Sequence, residues 1–288
     1  MGEYTEALDI KANGRAKPKG INSVLNGFRL LQALVDSGGA MGLTELSQQA
    51  GLSPAQAHAY LISLKHVDVV EQDETTGRYQ LGQFALVLGL ARLRSIEPLE
   101  QIFRRASHLA FETNYMIIVS VFATSSPVVV RVFNPPRHYL VASRVGHVPS
   151  MVETCTGRVF AAYLPQRETE GLLAAEFNAL REQGFPTSYT PSSLNQEINA
   201  IRLRGYGIAT GTPNKYLTSL SAPVFNSFGQ LECVLTLTAA GKKISVAPES
   251  VDVKTLCDMA RSLSEELGYQ HQQFSSQHRG KPFADVGE

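Results

Sequence analysis

The chain has 288 residues, of which 43% are hydrophobic and 18% charged, and its 26 Lys and Arg balance 26 Asp and Glu. Such a chain builds one large or two ordinary domains around a sizeable core. No apolar run approaches the ~20 residues that span a bilayer, and a formal charge of zero excludes a global basic footprint for nucleic acid, leaving room only for a local one.

In chain order, residues 1–20 combine Gly, Asn and Pro with Lys11, Arg15, Lys17 and Lys19 and show no sustained periodicity. That is the composition of a disordered arm. It reads either as a solvated tail or as a basic extension that meets the DNA backbone or minor groove. Met1-Gly2-Glu3-Tyr4 lacks the basic-then-apolar order of a signal peptide. Cys155, Cys233 and Cys257 are isolated thiols without metal-type spacing, as suits a reducing cytoplasm.

Residues 21–81 are expected to form a winged helix-turn-helix. Leu43, Leu46 and Ala50 place one apolar stripe on a short helix, which Gly51 ends as a left-handed cap. Ser53 followed by Pro54 is an N-cap with proline at the first helical position. A second helix starts there, with Ala57, Leu61 and Leu64 inward. Two short helices joined by a tight turn are the motif whose second helix enters a major groove. Val69–Gln72 and Arg78–Leu81 then read as two strands around Asp73-Glu74-Thr75-Thr76-Gly77, a hairpin that would serve as a wing near phosphate. A three-helix packing unit with a β-ribbon and no DNA partner fits the same pattern.

Leu81 to about Ile96 carries Phe84, Leu86, Val87, Leu88, Leu90 and Leu93. A linker helix over residues 82–97 with that much apolar surface must bury it against a sister subunit or the second domain. From Pro98 helices alternate with strands. Helices are expected over Pro98–Thr113, Thr156–Leu164, Arg167–Phe177, Leu194–Arg204 and Val251–Leu267. Strands are expected over Met116–Ala123, Val128–Phe133, Tyr139–Ser143, Leu217–Phe225 and Leu231–Thr238. A mixture of helices with an antiparallel sheet makes residues 98–270 an α+β domain, followed by a flexible tail over 271–288.

Over most of its length the chain resembles an IclR-family transcriptional regulator. The resemblance is carried by Ser23-Val24 leading into Phe28-Arg29-Leu30-Leu31, by the helix-turn-helix, and by Thr76-Gly77-Arg78-Tyr79-Gln80-Leu81-Gly82. Further along it is carried by Thr154-Cys155-Thr156-Gly157-Arg158, Arg204-Gly205-Tyr206-Gly207-Ile208 and Ser221-Ala222-Pro223-Val224-Phe225 before Gly229. It implies an operator on double-stranded DNA, a homodimer or homotetramer, and a GAF/PAS-like effector-binding domain. No membrane partner, enzyme activity, metal or cofactor is implied.

On the DNA side the expected contacts are Thr44, Ser53, Ala55, Gln56, His58, Ala59, Lys65, Thr76 and Arg78. Gln56 can read adenine and His58 can donate to a base or phosphate. The family's usual hydroxyl residues and arginine are missing from this helix, so the operator is expected to differ and affinity to lean on Lys65, Arg78 and the basic arm.

In the second domain, Ser143-Arg144-Val145-Gly146 ends a strand in a turn, and Thr154 can cap a helix whose Cys155, Thr156 and Gly157 amides would point outward at a carboxylate. Thr236 with Thr238, and Ser219 with Ser221, each share one strand face. The resemblance carries the effector pocket onto Cys155, Thr156, Ala209, Ser219, Thr236 and Thr238, with Gly146 and Gly157 beside them. Ala209 stands where the family often has an acid, and Ser219 where it often has a cysteine, so a different effector is expected. Val145, Val148, Met151 and Tyr216 would accept a ring or short chain of an organic acid. Alternating Ser and Thr also occur on strands for purely structural reasons. Two alternatives stand beside regulation by an effector: a thiol redox sensor at Cys155, and a small-molecule-binding protein whose winged domain makes protein contacts. No phosphate loop, metal-spaced His/Asp/Glu set or nucleophile elbow accompanies them.

Overall fold

The computed structural model describes residues 20–94, 97–136, 143–184, 187–240 and 243–270. The arm over 1–19, the tail over 271–288, and residues 139–142 of the expected third strand lie outside that range; Ser143 is not in a strand. Two compact units divide between Ile96 and Glu97.

The first unit opens with α1 (Asn22–Ser37), which buries Gly27, Leu30, Ala33 and Leu34 and ends at left-handed Gly38. Helices α2 (Leu43–Gln49) and α3 (Pro54–His66) follow. Gly51, at φ 66°, turns the chain between them, as a residue without Cβ can. Leu30, Leu34, Leu46, Ala57, Leu61, Val70 and Tyr79 form one core. Strands β1 (Val70–Gln72) and β2 (Tyr79–Leu81) pair antiparallel, Val70 opposite Leu81. Met41 and Tyr79 exchange amide–carbonyl bonds of 2.8 Å, fastening the ribbon to the segment before α2. The expected linker helix is α4 (Gln83–Arg94). Phe84, Leu86, Val87, Leu88 and Leu90 on it are exposed.

The second unit contains α5 (Glu97–Thr113), β3 (Met116–Ala123), β4 (Ser126–Phe133), α6 (Cys155–Tyr163), α7 (Gln166–Glu182), α8 (Pro191–Arg204), β5 (Gly207–Thr210), β6 (Leu217–Phe225), β7 (Leu231–Ala240) and α9 (Val251–Glu266). The strands form one antiparallel sheet in the order β4-β3-β7-β6-β5. Edge strand β5 is not among the expected strands. Arg105 of α5 binds Glu266 and Ser262 of α9, so these two helices share one face of the sheet. Helix α6 covers the other, through Thr156 to Thr236 and Ser221. Leu194, Ile198 and Ile201 of α8 and Leu173 of α7 close a core around Val159 and Phe160. Met151, expected beside a ligand, is 4% exposed and belongs to this core. Glu176 pulls it in by accepting from its amide at 2.8 Å.

Candidate functional site

Helix α3 is built for presentation. Ser53 Oγ accepts from the Gln56 amide at 3.3 Å, and Gln56 Oε1 accepts in return from the Ser53 amide at 3.2 Å. This capping box satisfies two end groups reciprocally, with Pro54 at the first position. Ala55, Gln56, His58, Ala59 and Ile62 are exposed on the side away from buried Ala57 and Leu61. The carboxamide oxygen of Gln56 is therefore already engaged by Ser53. Thr44 is exposed on α2, and its carbonyl accepts from Ser47 Oγ at 2.9 Å.

The wing is tied down by the residues expected to reach phosphate. Thr76 donates to Asp73 Oδ1 through its amide at 2.6 Å and its hydroxyl at 2.9 Å. Those two bonds hold the Asp73 carboxyl below the usual carboxylate range. Arg78 donates to the Ala40 carbonyl at 2.9 Å and to Glu45 at 3.2 Å. Lys65 donates to Gln72 at 2.9 Å.

In the second unit the register places Ser219 opposite Thr238 and Ser221 opposite Thr236, with Ala209 opposite Ser219 on β5. All share the α6 face, as alternation requires. The hydroxyls bond one another. Ser219 and Thr238 are 2.9 Å apart, Ser221 and Thr236 2.8 Å, and Thr156 and Thr236 2.7 Å. Ser221 Oγ also donates to Cys155 Sγ at 3.1 Å. Ser221 is thus a hub of the cluster, although it is absent from the expected site residues; its alternation with Ser219 is the signal that points to it. Ser120 of β3, also on this face, is fully buried, and its hydroxyl has no partner among the described residues.

Three expectations change. The Gly157 amide does not point outward, because Thr154 Oγ1 accepts from it at 3.0 Å. The segment before α6 sits directly on it, since a Cβ there would lie 2.1 Å from the Ser150 carbonyl oxygen. Gly146 is not brought beside the hydroxyls. Its amide donates to Val129 on edge strand β4 at 2.8 Å, three strands away from β6. Cys155 does not meet the needs of a redox thiol. It is 1% exposed, and burial pushes its pKa up despite the Ser221 hydrogen bond and the Arg158 charge. A reactive thiol requires access and a lowered pKa.

Arg158 carries part of this architecture and has no assigned role in the sequence reading. Fully buried, it donates to the carbonyls of Val152 at 2.8 Å and Ile208 at 2.6 Å. Its guanidinium lies 4.8 Å from the Tyr189 ring centre. It therefore joins the turn before α6, edge strand β5 and the loop before α8. Tyr216, Val145 and Val148 are exposed at 67%, 59% and 52%, available to an apolar ligand group or to solvent. Among the described residues no group of His, Cys, Asp and Glu could hold a metal ion, and no helix is long and apolar enough to cross a membrane.

Two family models match the chain: the helix-turn-helix domain of IclR over residues 23–74, and the C-terminal domain of the bacterial transcriptional regulator IclR over residues 93–265. The HTH-type transcriptional regulator KdgR of Dickeya chrysanthemi is 24% identical over 254 residues, covering 88% of this chain and 82% of that protein. A putative IclR transcriptional regulator from a Silicibacter species superposes with a TM-score of 0.75 at 21% identity, covering 86% of this chain and 97% of the other. An IclR homolog from Microbacterium hydrocarbonoxydans, complexed with 4-hydroxybenzoate, gives a TM-score of 0.66 at 17% identity, covering 85% and 98%.

Proposed function

Because the chain belongs to the IclR family of DNA-binding transcriptional regulators, we propose that α3 reads an operator under the control of a small organic acid held against the β6–β7 hydroxyls. The observation that carries the reading is the ladder of Ser219, Ser221, Thr236 and Thr238 on the face that α6 covers. Directed hydroxyls beside apolar side chains suit a ligand with one polar end and one apolar end. An aromatic or short aliphatic carboxylate has that form. Support comes from the Microbacterium homolog, whose structure contains 4-hydroxybenzoate.

Calorimetry with benzoate, 4-hydroxybenzoate and short aliphatic acids tests the pocket. Thr238→Val keeps the shape but removes a donor and acceptor, so it is expected to cost the bound acid about 1 kcal/mol or more, with operator affinity unchanged. Unaltered affinity in both Thr238→Val and Thr236→Val would return these hydroxyls to a purely structural role.

Operator binding is proposed to be symmetric. One short helix offers little contact for selective binding. Ile21, Val24, Leu25 and Phe28 on and before α1, with the apolar residues of α4, are exposed and would be covered in a homodimer or homotetramer. Two-fold symmetry sets half-sites roughly 34 Å apart. Changing Gln56 and His58 together to Ala is expected to weaken the footprint and relax base preference, at about 1–3 kcal/mol per lost base contact. Part of the Gln56 effect comes from the lost cap, roughly 1 kcal/mol. An unchanged footprint from a folded variant, or a monomer that still protects a palindrome, rejects this arrangement.

A further inference from the structure

The side of α3 that points straight away from its core is apolar. Ala57, Tyr60, Leu61 and Leu64 turn toward the core of the first unit. At about 100° per residue, Ala55, Ala59 and Ile62 fall within an arc of about 60° on the opposite side. All three are exposed, and Ile62 keeps 45% of its surface. Gln56 and His58 stand on the two shoulders, about 70–90° to either side of this stripe. Ile62 is absent from the contacts expected on the sequence.

Polar groups beside the stripe are turned back onto the protein. The Ser63 hydroxyl donates to the Ala59 carbonyl at 3.4 Å, and His66 Nδ1 lies 2.9 Å from the Ile62 carbonyl oxygen. The Gln56 oxygen is held by the capping box. No Lys or Arg occurs on α3 before Lys65, which donates to Gln72 at 2.9 Å. Hydrogen-bonding groups and charge are therefore scarce along the stripe, and methyl groups are plentiful. In the major groove, apolar contact recognises one feature of a base pair, the C5 methyl of thymine. From Ala55 to Ile62 the stripe runs about 10 Å along the helix, roughly three base-pair steps.

We propose that Ile62, with Ala55 and Ala59 beside it, selects the operator by packing against thymine methyls in the major groove, so that each half-site carries A·T pairs under the stripe. The proposal rests on the operator-binding reading above and names the chemical feature that the helix reads.

The test removes the methyl from the DNA and its partner from the protein. Full-length protein first selects its tightest fragment from sheared DNA of the source genome. That fragment and an unrelated duplex are then prepared with thymidine or with deoxyuridine, which lacks only the C5 methyl and keeps the same hydrogen-bonding edge. Wild type, Ile62→Ala and Ile62→Val are titrated with all four, after circular dichroism has checked that each is folded. The unrelated duplex corrects for the altered stiffness of uracil DNA, which also changes affinity. Burying one methyl contributes roughly four-fold in affinity, and two related helices roughly fifteen-fold. The preference of wild type for thymidine should therefore exceed that of Ile62→Ala by roughly fifteen-fold, with Ile62→Val between. If Ile62→Ala binds too weakly to titrate, the ratio for Ile62→Val decides. Equal preferences in wild type and variant, or no preference in wild type, overturn the proposal while the operator reading stands. Equal preferences together with a changed mass on size-exclusion chromatography would assign Ile62 to a protein contact instead. A wild type that retains no genomic fragment above the unrelated duplex overturns the operator reading itself.

Discussion

Gly157→Ala is expected to lower the thermal midpoint of the second unit more than any other single-methyl addition at the described glycines of α6–α8. The added Cβ would lie 2.1 Å from the Ser150 carbonyl oxygen and 2.5 Å from the Met151 Cα. Both are backbone atoms, and neither is free to step aside. The Ser150 carbonyl accepts from Thr154 Oγ1 at 2.6 Å, and the Met151 amide is fixed to Glu176 at 2.8 Å. Overpacking costs typically about 1–3 kcal/mol, and an immobile backbone partner puts this site at the upper end. Against a total stability of roughly 5–15 kcal/mol, that is a large fraction. Gly171→Ala on α7, where nothing lies within 4 Å of the new carbon, is the control. Equal midpoints for the two variants would mean that the turn before α6 yields easily.

Arg158→Met should be at least as destabilising, and for the opposite reason: hydrogen-bond donors are removed where Gly157→Ala adds a clashing carbon. Methionine fills much of the same space but leaves the Val152 and Ile208 carbonyls without the donors that meet them at 2.8 and 2.6 Å. Hydrogen bonds to a charged group contribute roughly 1.5–3 kcal/mol each. The variant also escapes the cost of burying a cation, so a net loss of about 2–4 kcal/mol is expected in urea unfolding. Among the described residues the Arg158 Nε has no acceptor. Arg158→Lys, which retains the charge but not the two-pronged geometry, should fall between. A variant as stable as the parent would show that the two carbonyls find other partners.

These two residues mark the boundary of what the sequence reveals. The helix-turn-helix is legible because its punctuation is local: Gly51 needs positive φ, and Ser53-Pro54 can only open a helix. The capping box is legible too, as Ser53 and Gln56 three apart, and it engages the Gln56 carboxamide oxygen. The shared face of Ser219, Ser221, Thr236 and Thr238 follows from alternation. By contrast, β5 has four residues beginning with a glycine, and it becomes a strand only because β6 lies beside it. The separation of Gly146 from the hydroxyls depends on strand order, which no strand's own composition encodes. The burial of Arg158 and the pressure on Gly157 depend on carbonyls contributed by distant segments.

The mutual bonding of the sheet hydroxyls has a consequence for the organic-acid site proposed above. Ser219 with Thr238, and Thr156 with Thr236 and Ser221, bond one another. A carboxylate bound there as proposed would take over existing hydrogen bonds, so the net gain from each polar contact would be only about 1 kcal/mol. Discrimination among acids then falls to shape and to the apolar part of the guest. The outer pair, Ser219 and Thr238, can also be exchanged for other residues without disturbing the inner trio. If the proposed site is used, a lineage could thus retune which compound it answers to by single substitutions at Ser219 or Thr238.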